Sequence, residues 1–486
     1  MDKAALDVIG VIRSAGRPSR TEFDIERISV EGALPETLDG TFYRVLSDRQ
    51  FPAHLGPDFP FNEDGMVWAL RLKDGKASIK QRYVQTDRWK LENEHGRSLF
   101  GRYRDPYSDE PETAGVERTL ANTAPLVHAG VLLAMKEDGP AYGLDPVTLE
   151  THGIWDFHGT FRKRVIAAHA RVDSEGRMHA FGYADDGLFA RDITYYEISP
   201  EGRIVHEVAF ELPYMNMQHD VCISDDYVIW AVSPLVGVGD EKLREGERFF
   251  AWESTLPLYL CVLPRGGAPE DVRWFKSNNR FISHNLNASN IGSTITFDTC
   301  TSAGNAFPFF PELGKPFDPT QSKTYLTRIT IDYERGAKHW SDAPEFLSEE
   351  RLSDFVGEFP RIDDRFSGKA VKNGWMLRFE GTRNAFAHVD LSSRKTTVHE
   401  VPAHVVMQEP VFIPRTPNAS EGDGYVAVVM NDTVRNLTDI AFFEATDVAK
   451  GPVCTLKLPL QIRSGWHGWW ADVSETTKSI SAPAAA

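Results

Sequence analysis

Hydrophobic and polar residues alternate along much of this chain in short runs, a pattern typical of half-buried β-strands. The segments 77–84, 193–198 and 325–331 show the period of two most clearly. Turn-forming sequences at 173–176 and 199–202 predict hairpins between neighbouring strands. Further strands are predicted at 41–45, 227–230, 258–262, 272–275, 374–379, 425–429 and 440–443.

The pattern as a whole favours one large closed β architecture. Helical patterns are few and short, and the clearest predicts a helix over 348–355. Many short strands without a linker predict a single all-β domain over 1–486, and a β-propeller fits best. No repeat is legible, so the residues alone leave the number of blades open. We expect an N-terminal approach segment at 1–33 and a disordered tail at 480–486. Irregular segments, expected to form a cap over one face, lie at 47–64, 85–120, 235–255 and 300–322.

Composition and charge narrow the class of protein. The chain is 41% hydrophobic and 25% charged, so it can bury a large core and is not a disordered protein. A net charge of -17 without a run of Lys or Arg argues against a nucleic-acid partner and against binding to an anionic membrane surface. No secretory signal is visible, and no apolar run approaches the roughly 20 residues of a membrane span.

The cysteines are widely separated and form no CxxC pair, which is typical of buried free thiols and favours a cytoplasmic protein. They are Cys222, Cys261, Cys300 and Cys454.

Candidate chemistry comes from the histidines that lie at the ends of apolar runs. Four of the 15 histidines stand out: His169, His219, His284 and His467. A lone histidine beside an apolar run is usually structural, and His128 and His388 have similar surroundings. The four are far apart in sequence, so they can meet only on separate strands around an axis, as in a propeller. Four imidazoles without a carboxylate suit Fe(II) with open positions better than closed tetrahedral zinc, with acids expected to hold the imidazole N–H groups.

The segments around these histidines resemble the signatures of the carotenoid cleavage oxygenases. The matching segments, in family order, are 61–67, 168–173, 217–220, 284–288 and 465–468. The family more often has Asp-Gly where this chain has Asn62 and Glu63. The resemblance implies a seven-bladed β-propeller, with Fe(II) on its axis held by the four histidines, under a loop-rich, partly helical cap over the metal face.

The same resemblance assigns roles to further residues. It implies that Glu137, Glu358 and Glu409 bind the iron ligands and that Thr123 lies near the open iron position. Taken alone, each glutamate would be read as a turn or strand-end acid and Thr123 as an ordinary strand hydroxyl.

Within the family, the segment 132–140 resembles the lignostilbene dioxygenase branch, because carotenoid-cleaving members usually have an uncharged residue where Lys136 stands. Phe59 and Tyr103 match two further residues of that branch, with Tyr107 as a nearby alternative to Tyr103. The resemblance implies cleavage of the central C=C bond of a 4-hydroxystilbene by O2 to give two aromatic aldehydes. Lys136 would stabilise the phenolate and Tyr103 would relay its proton.

Two alternatives stay open at this point. One is an apocarotenoid or carotenoid cleavage oxygenase, which would need a long apolar tunnel and no lysine at its far end. The other is a propeller that serves as a binding module, with structural histidines. Partners are expected to be a small aromatic substrate and O2, with no nucleic acid and no membrane span, and the branch favours a homodimer.

Overall fold

The computed structural model describes residues 18–56, 58–378 and 383–477, apart from the side chain of Arg383. The predicted tail at 480–486, the first part of the predicted approach segment and the last residue of the strand predicted at 374–379 lie outside these residues. Within them, 33 strands and three short α-helices follow one another along the chain.

Seven antiparallel sheets of four to six strands form the blades of a β-propeller, which confirms the predicted fold class. Blade 1 contains β1 (Phe23–Ile25), β3 (Gly40–Ser47), β4 (Gly65–Lys73), β5 (Lys76–Tyr83) and β33 (Gly465–Asp472). Blade 2 contains β6 (Ala124–His128), β7 (Val131–Met135), β8 (Tyr142–Leu144) and β9 (Thr151–Ile154). Blade 3 contains β10 (Arg171–Val172), β11 (Met178–Tyr183), β12 (Asp192–Ile198) and β13 (Ile204–Glu211). Blade 4 contains β14 (Val221–Ile223), β15 (Tyr227–Val232), β18 (Leu258–Pro264) and β19 (Arg273–Ser277).

The remaining blades complete the ring. Blade 5 contains β20 (Phe281–Ile291), β21 (Thr294–Ser302), β22 (Thr324–Asp332) and β23 (Ser348–Val356). Blade 6 contains β24 (Glu358–Arg361), β25 (Asn373–Arg378), β26 (Arg383–Asp390) and β27 (Thr396–Pro402). Blade 7 contains β2 (Ser29–Gly32), β28 (Val405–Met407), β29 (Val411–Pro414), β30 (Gly424–Asp432), β31 (Leu437–Glu444) and β32 (Cys454–Lys457).

Strands from both ends of the described chain close the ring, β33 in blade 1 and β2 in blade 7. Near the C-terminus, β33 pairs with β3 in blade 1, with Phe42 opposite Trp470. From the N-terminal side, β2 pairs with β32 in blade 7, and β1 forms the outer edge of blade 1 on β5. Part of the predicted approach segment is therefore strand. Closure of this kind pairs sheet edges that would otherwise be open.

The core lies between neighbouring blades, where apolar side chains from adjacent sheets pack against each other. Trp68, Trp230 and Trp375 are among the largest fully buried side chains, each on a central strand of its blade. Both predicted hairpin turns join paired strands, β10 to β11 and β12 to β13. The alternation seen in the sequence therefore reflects the burial of strand faces between blades.

The helix predicted over 348–355 is wrong, because these residues form β23, the outer strand of blade 5. Ile329 of β22 pairs with Glu349, and Thr327 pairs with Arg351. The acidic and basic side chains face solvent on an edge strand, so pairing with β22 overrides a weak local preference for helix.

The predicted cap is formed by the long connections. It contains α1 (Asp87–His95), α2 (Asp240–Arg244), the hairpin of β16 (Leu235–Gly237) and β17 (Phe250–Trp252), and 3-10 turns at Pro60–Asn62, Pro106–Ser108, Pro111–Thr113 and Pro319–Gln321. Helix α1 begins where Thr86 Oγ1 accepts a hydrogen bond from the Trp89 amide, 3.1 Å away. Helix α3 (Val473–Thr476) follows β33 outside the cap. None of the helices in the described residues has the length and apolar character needed to cross a lipid bilayer.

Candidate active site

Four imidazoles meet where the inner strands of four blades surround the propeller axis. The ligand nitrogens of His169, His219, His284 and His467 all lie within 4.8 Å of one another. Ring centroids are 4.5 Å apart for His169 and His219 and 4.6 Å apart for His219 and His284. The closed ring of blades therefore brings together residues that are far apart in sequence.

Local irregularity in the strands points these side chains at the axis. His169 and His219 lie just before the inner strands β10 and β14. His284 and His467 lie within inner strands, each at a register shift in the pairing with the neighbouring strand. Bulges of this kind re-aim a side chain at the rim of a barrel or next to a site.

Three of the imidazoles are each held by a buried glutamate. His219 Nδ1 lies 2.7 Å from Glu137 Oε1, and His284 Nδ1 lies 2.6 Å from Glu358 Oε2. His467 Nδ1 lies 3.0 Å from Glu409 Oε1. Burial would raise the pKa of Glu137 and of Glu358, but the paired histidines lower each one below its usual value. Each glutamate is therefore a carboxylate that can only accept, so Nδ1 donates to it and Nε2 is the ring nitrogen left to bind a metal.

The ring nitrogens that face away from the glutamates converge within a short distance, and this supports a cation between them. Nε2 of His219 lies 2.8 Å from Nε2 of His284. The buried Nε2 of His169 has no hydrogen-bond partner among the described residues. Ring nitrogens that converge in this way can all bind one cation, and imidazole is a common ligand of transition metals. The arrangement is that of a metal centre.

Burial keeps the ring of His169 and that of His467 neutral. It lowers the pKa of His169 well below the usual range, and the other imidazoles add to the shift. It lowers the pKa of His467 to about 4, although Glu409 opposes the shift. Neutral imidazole is the form that binds metal, so these two rings need not lose a proton on binding.

Phe359 adds an aromatic wall to the centre from a strained backbone. Its φ is 54°, in the left-handed region that is unusual for a residue other than glycine. Its ring lies 4.8 Å from that of His284 and 5.4 Å from that of His467. Strain is kept in this way where a side chain must take one position beside a functional group.

A cavity of about 340 Å³ opens above the histidines toward the cap. Its walls are mainly aromatic and apolar, and His219, His284 and His467 lie at its floor. The aromatic residues around it are Phe61, Phe281, Phe307, Phe309, Phe317, Phe359 and Trp466. A volume in this range with a few polar groups at one end suits a small, largely apolar ligand.

The predicted substrate residues lie beyond the aromatic wall of this cavity. The ring of Phe59 is 4.7 Å from that of Phe61 and 4.5 Å from that of Phe309, and both of these rings line the cavity. Phe59 in turn lies 5.1 Å from Tyr103, and Lys136 Nζ lies 4.9 Å from the centre of the Tyr103 ring. The structure thus brings Phe59, Tyr103 and Lys136 together.

Tyr107 and Thr123 lie in different surroundings. Tyr107 is exposed on the cap and donates to Asp240, so it is separated from the buried cluster around Tyr103. Thr123 is buried just before β6, and its hydroxyl donates to Asn122 Oδ1 at 3.1 Å. His128 and His388 bind Gly176 O and Asn373 Oδ1 at 3.0 and 2.7 Å, away from the four-histidine cluster.

Sequence reasoning missed Asp138 and most of the aromatic wall. Asp138 follows Lys136 by two residues and binds its ammonium at 2.7 and 2.9 Å. An acid close to a lysine was a visible signal, but it is common in exposed turns. The phenylalanines at 307 and 309 lie in an irregular segment, which has no periodicity from which their positions could be found.

Known proteins resemble this chain in sequence along nearly its whole length. Residues 16–472 match the family described as retinal pigment epithelial membrane protein. The chain is 41% identical to lignostilbene-alpha,beta-dioxygenase isozyme III of Sphingomonas paucimobilis, over 94% of this chain and 96% of that protein. It is 34% identical to isoeugenol monooxygenase of Pseudomonas nitroreducens, over 93% and 96%.

A solved structure gives the same result for the fold. The lignostilbene dioxygenase of Pseudomonas brassicacearum superposes with a TM-score of 0.88 at 35% identity, over 94% of this chain and 96% of that one. Matches of this extent include every blade and all four histidine segments. The chain therefore belongs to the retinal pigment epithelial membrane protein family, the carotenoid cleavage oxygenases.

Proposed function

We propose that this protein is an Fe(II)-dependent dioxygenase that cleaves the central C=C bond of 4-hydroxystilbenes with O2 to give two aromatic aldehydes. The observation that carries the proposal is the set of four imidazoles whose ligand nitrogens converge at the floor of an aromatic cavity. The relatives named for lignostilbene cleavage support the substrate class.

His169, His219, His284 and His467 would hold the metal, and Glu137, Glu358 and Glu409 would orient three of these rings. Four imidazole ligands without a carboxylate would leave the charge of a dication uncompensated and coordination positions free, which suits Fe(II) better than structural zinc. Bound Fe(II) would supply the electron transfer that O2 needs to react with an alkene. Thr123, buried just before the inner strand β6, is proposed to lie near a free position.

Lys136 is proposed to act on the phenol of the substrate. Burial lowers the pKa of its ammonium, and the charge of Asp138 opposes that shift. Burial would raise the pKa of Asp138, but Lys136 and Arg104 lower it below its usual value, so the partner is a carboxylate. An ammonium held in this way can donate from Nζ to the substrate oxygen and stabilise it as a phenolate, and resonance then places negative charge of the phenolate on the alkene carbons.

Tyr103 is proposed to relay the phenolic proton, with its hydroxyl oxygen accepting that proton while its own O–H proton passes on to water. Burial, followed by the negative charge of Glu137, raises the pKa of Tyr103 well above its usual value, so its hydroxyl is a neutral donor. Its ring and that of Phe59 form an aromatic contact at 5.1 Å. We propose that these rings position the 4-hydroxyphenyl group so that its oxygen reaches Lys136 while the alkene lies toward the histidines.

The test combines metal analysis with substrate turnover. Purified protein loaded with Fe(II) should consume one O2 for each 4-hydroxystilbene cleaved, and ¹⁸O from labelled O2 should appear in both aldehydes. An apocarotenal offered at the same concentration should be turned over far more slowly. Protein that carries stoichiometric zinc and consumes no O2 would contradict the proposal, and preference for the apocarotenal would move the protein to the carotenoid-cleaving alternative.

We further propose that 1–486 is a single domain and that the protein is a cytoplasmic homodimer. All four cysteines are buried and free, which agrees with a reducing compartment. Sedimentation of the purified protein at several concentrations would test the dimer.

A further inference from the structure

A buried ion pair lies beside the histidine cluster, at a second cavity that is separate from the aromatic one. This cavity is small, about 50 Å³, and three of the histidines line it together with Arg171 and Asp220. None of its lining residues belongs to the cap segments, so it lies on the propeller side of the centre. The side chain of Asp220 is 2% exposed and that of Arg171 is 14% exposed.

Arg171 reaches from its own blade to the two blades that follow. It lies two residues after His169, at the start of β10. Its Nη2 donates to Asp220 Oδ2 at 2.9 Å and to the carbonyl of Asn285 at 2.9 Å, and its Nε donates to the carbonyl of Val221 at 3.0 Å. One guanidinium therefore binds main-chain carbonyls of blades 4 and 5 while it is anchored in blade 3.

Asp220 also connects blades 4 and 5, through hydrogen bonds from backbone amides. It follows His219 directly, and its Oδ2 accepts a hydrogen bond from the amide of Asn285 at 2.8 Å. Asn285 follows His284 directly. The carboxylate also accepts from the amide of Val221 at 2.7 Å through Oδ1. The backbone beside His284 is thus held through both its N–H and its C=O by the side chains that follow His169 and His219.

We propose that Arg171 and Asp220 are positioning residues of the metal centre, which fix the distances between the chain segments that carry His169, His219 and His284. The pair acts on the metal through these histidines and does not touch it. The inference rests on the proposed function, because it assumes that the four histidines hold a metal.

A buried ion pair at this place would add little to stability by itself. Removal of two charges from water carries a large free-energy cost, and well-packed apolar residues often stabilise a buried site as well or better. Apolar side chains, however, cannot hold three backbones at hydrogen-bond distances. A planar guanidinium with a carboxylate can do so, since it presents several donors in a fixed geometry.

The test uses Co(II) as a probe, because its visible absorption reports ligand geometry without turnover. Arg171→Met should lose Co(II) to excess EDTA about 10 to 100-fold faster than the wild-type protein, the usual scale for loss of a group that orients metal ligands. Its Co(II) spectrum should also shift. Retention of the wild-type spectrum and the wild-type rate of metal loss in a folded Arg171→Met protein would overturn the inference.

Arg328→Met is the matched control. Arg328 binds Asp298 through two hydrogen bonds of 2.8 and 2.7 Å between β22 and β21, in a partly buried ion pair that does not contact a histidine strand of another blade. This variant should lower the thermal midpoint but keep the Co(II) spectrum and loss rate. If Arg328→Met releases Co(II) as fast as Arg171→Met, the effect is general destabilisation and the inference is wrong.

Asp220→Asn covers the case in which Arg171→Met does not fold. It keeps the shape of the side chain and removes the charge that pairs with Arg171. We therefore expect faster Co(II) loss and a shift of the Co(II) spectrum, both smaller than in Arg171→Met. Wild-type behaviour in this variant would also overturn the inference. Failure of the wild-type protein to bind Co(II) stoichiometrically would instead reject the metal centre itself, so the two failures are distinguishable.

Discussion

Nζ of Lys136 lies 2.7 Å from Oδ2 and 2.9 Å from Oδ1 of Asp138, so both carboxylate oxygens hold one buried ammonium. Lys136 is 1% exposed, and a lysine so deeply buried is rare unless it is paired. The pair therefore keeps a positive charge beside the ring of Tyr103, at the end of the aromatic cluster. A fixed charge in such surroundings can be tested directly.

The charge of Lys136 should be needed for turnover. Lys136→Met keeps most of the stem and removes the ammonium, so we expect a fall of about ten- to a hundred-fold or more in kcat/KM on a 4-hydroxystilbene. The basis is that a hydrogen bond to a charged group is worth roughly 1.5 to 3 kcal/mol. The measurement is aldehyde production under initial-rate conditions.

A 4-methoxystilbene is the matched substrate, because it has nearly the same shape and no proton to lose. Wild-type protein should bind it and cleave it poorly. Equal cleavage of the hydroxy and methoxy compounds would reject activation through the phenolate and leave Lys136 a structural role.

Asp138 should set the basic limit of activity. Its charge opposes the lowering of the Lys136 pKa by burial, so Asp138→Asn should lower that pKa further. If the ammonium is the active form, activity is lost as pH rises through the pKa, and the basic limb of the kcat/KM profile should move to lower pH. A basic limb that stays in place, measured alongside wild-type protein in the same buffers, would show that Lys136 does not limit the reaction.

Glu358 should act on the metal through His284. Glu358→Gln replaces the carboxylate that binds His284 Nδ1 at 2.6 Å, so we expect metal retention or rate to fall about 10 to 100-fold while the fold is kept. Iron content after gel filtration and oxygen uptake measure the two effects. Glu350→Gln, on the exposed edge of blade 5, is the control and should leave both unchanged. Wild-type iron content and turnover in Glu358→Gln would show that Glu358 does not act on the metal centre.

His179 should make stability depend on pH well away from the metal. The ring is fully buried between Tyr195 Oη and Asp173 Oδ2, and burial lowers its pKa below the usual value. The unfolded chain takes up a proton near pH 6.5 and the folded state resists it, so the stabilising contribution is present above that pH and is lost as pH falls below it.

Denaturant unfolding at several values of pH would measure this effect. His179→Gln cannot titrate in this range, so its free energy of unfolding should fall less steeply between pH 6.5 and pH 5 than that of the wild-type protein. The difference in slope has an upper limit of about 1.4 kcal/mol per pH unit. Identical slopes in the two proteins would contradict the assignment.

The sequence alone determined the class of structure and the candidate ligands. Alternating runs such as 193–198 encode strands that bury one face, because side chains of a strand point alternately to its two sides. The histidine segments were visible for a similar reason: His219 and its counterparts stand at the ends of apolar runs, and their order along the chain carried the family resemblance. That resemblance, rather than periodicity, supplied the number of blades.

What only the tertiary structure decided is which groups meet. The polar segment at 348–355 forms a strand because it pairs with the edge of β22. The sequence of the segment itself does not indicate that partner. The hydrogen bonds of Arg171 to Asp220 and Asn285 join three blades, and the wall that contains Phe307 and Phe309 comes from an irregular connection. Contacts between such distant residues follow from closure of the ring, in which each blade is placed by all the others, whereas local sequence specifies only the conformation of each segment.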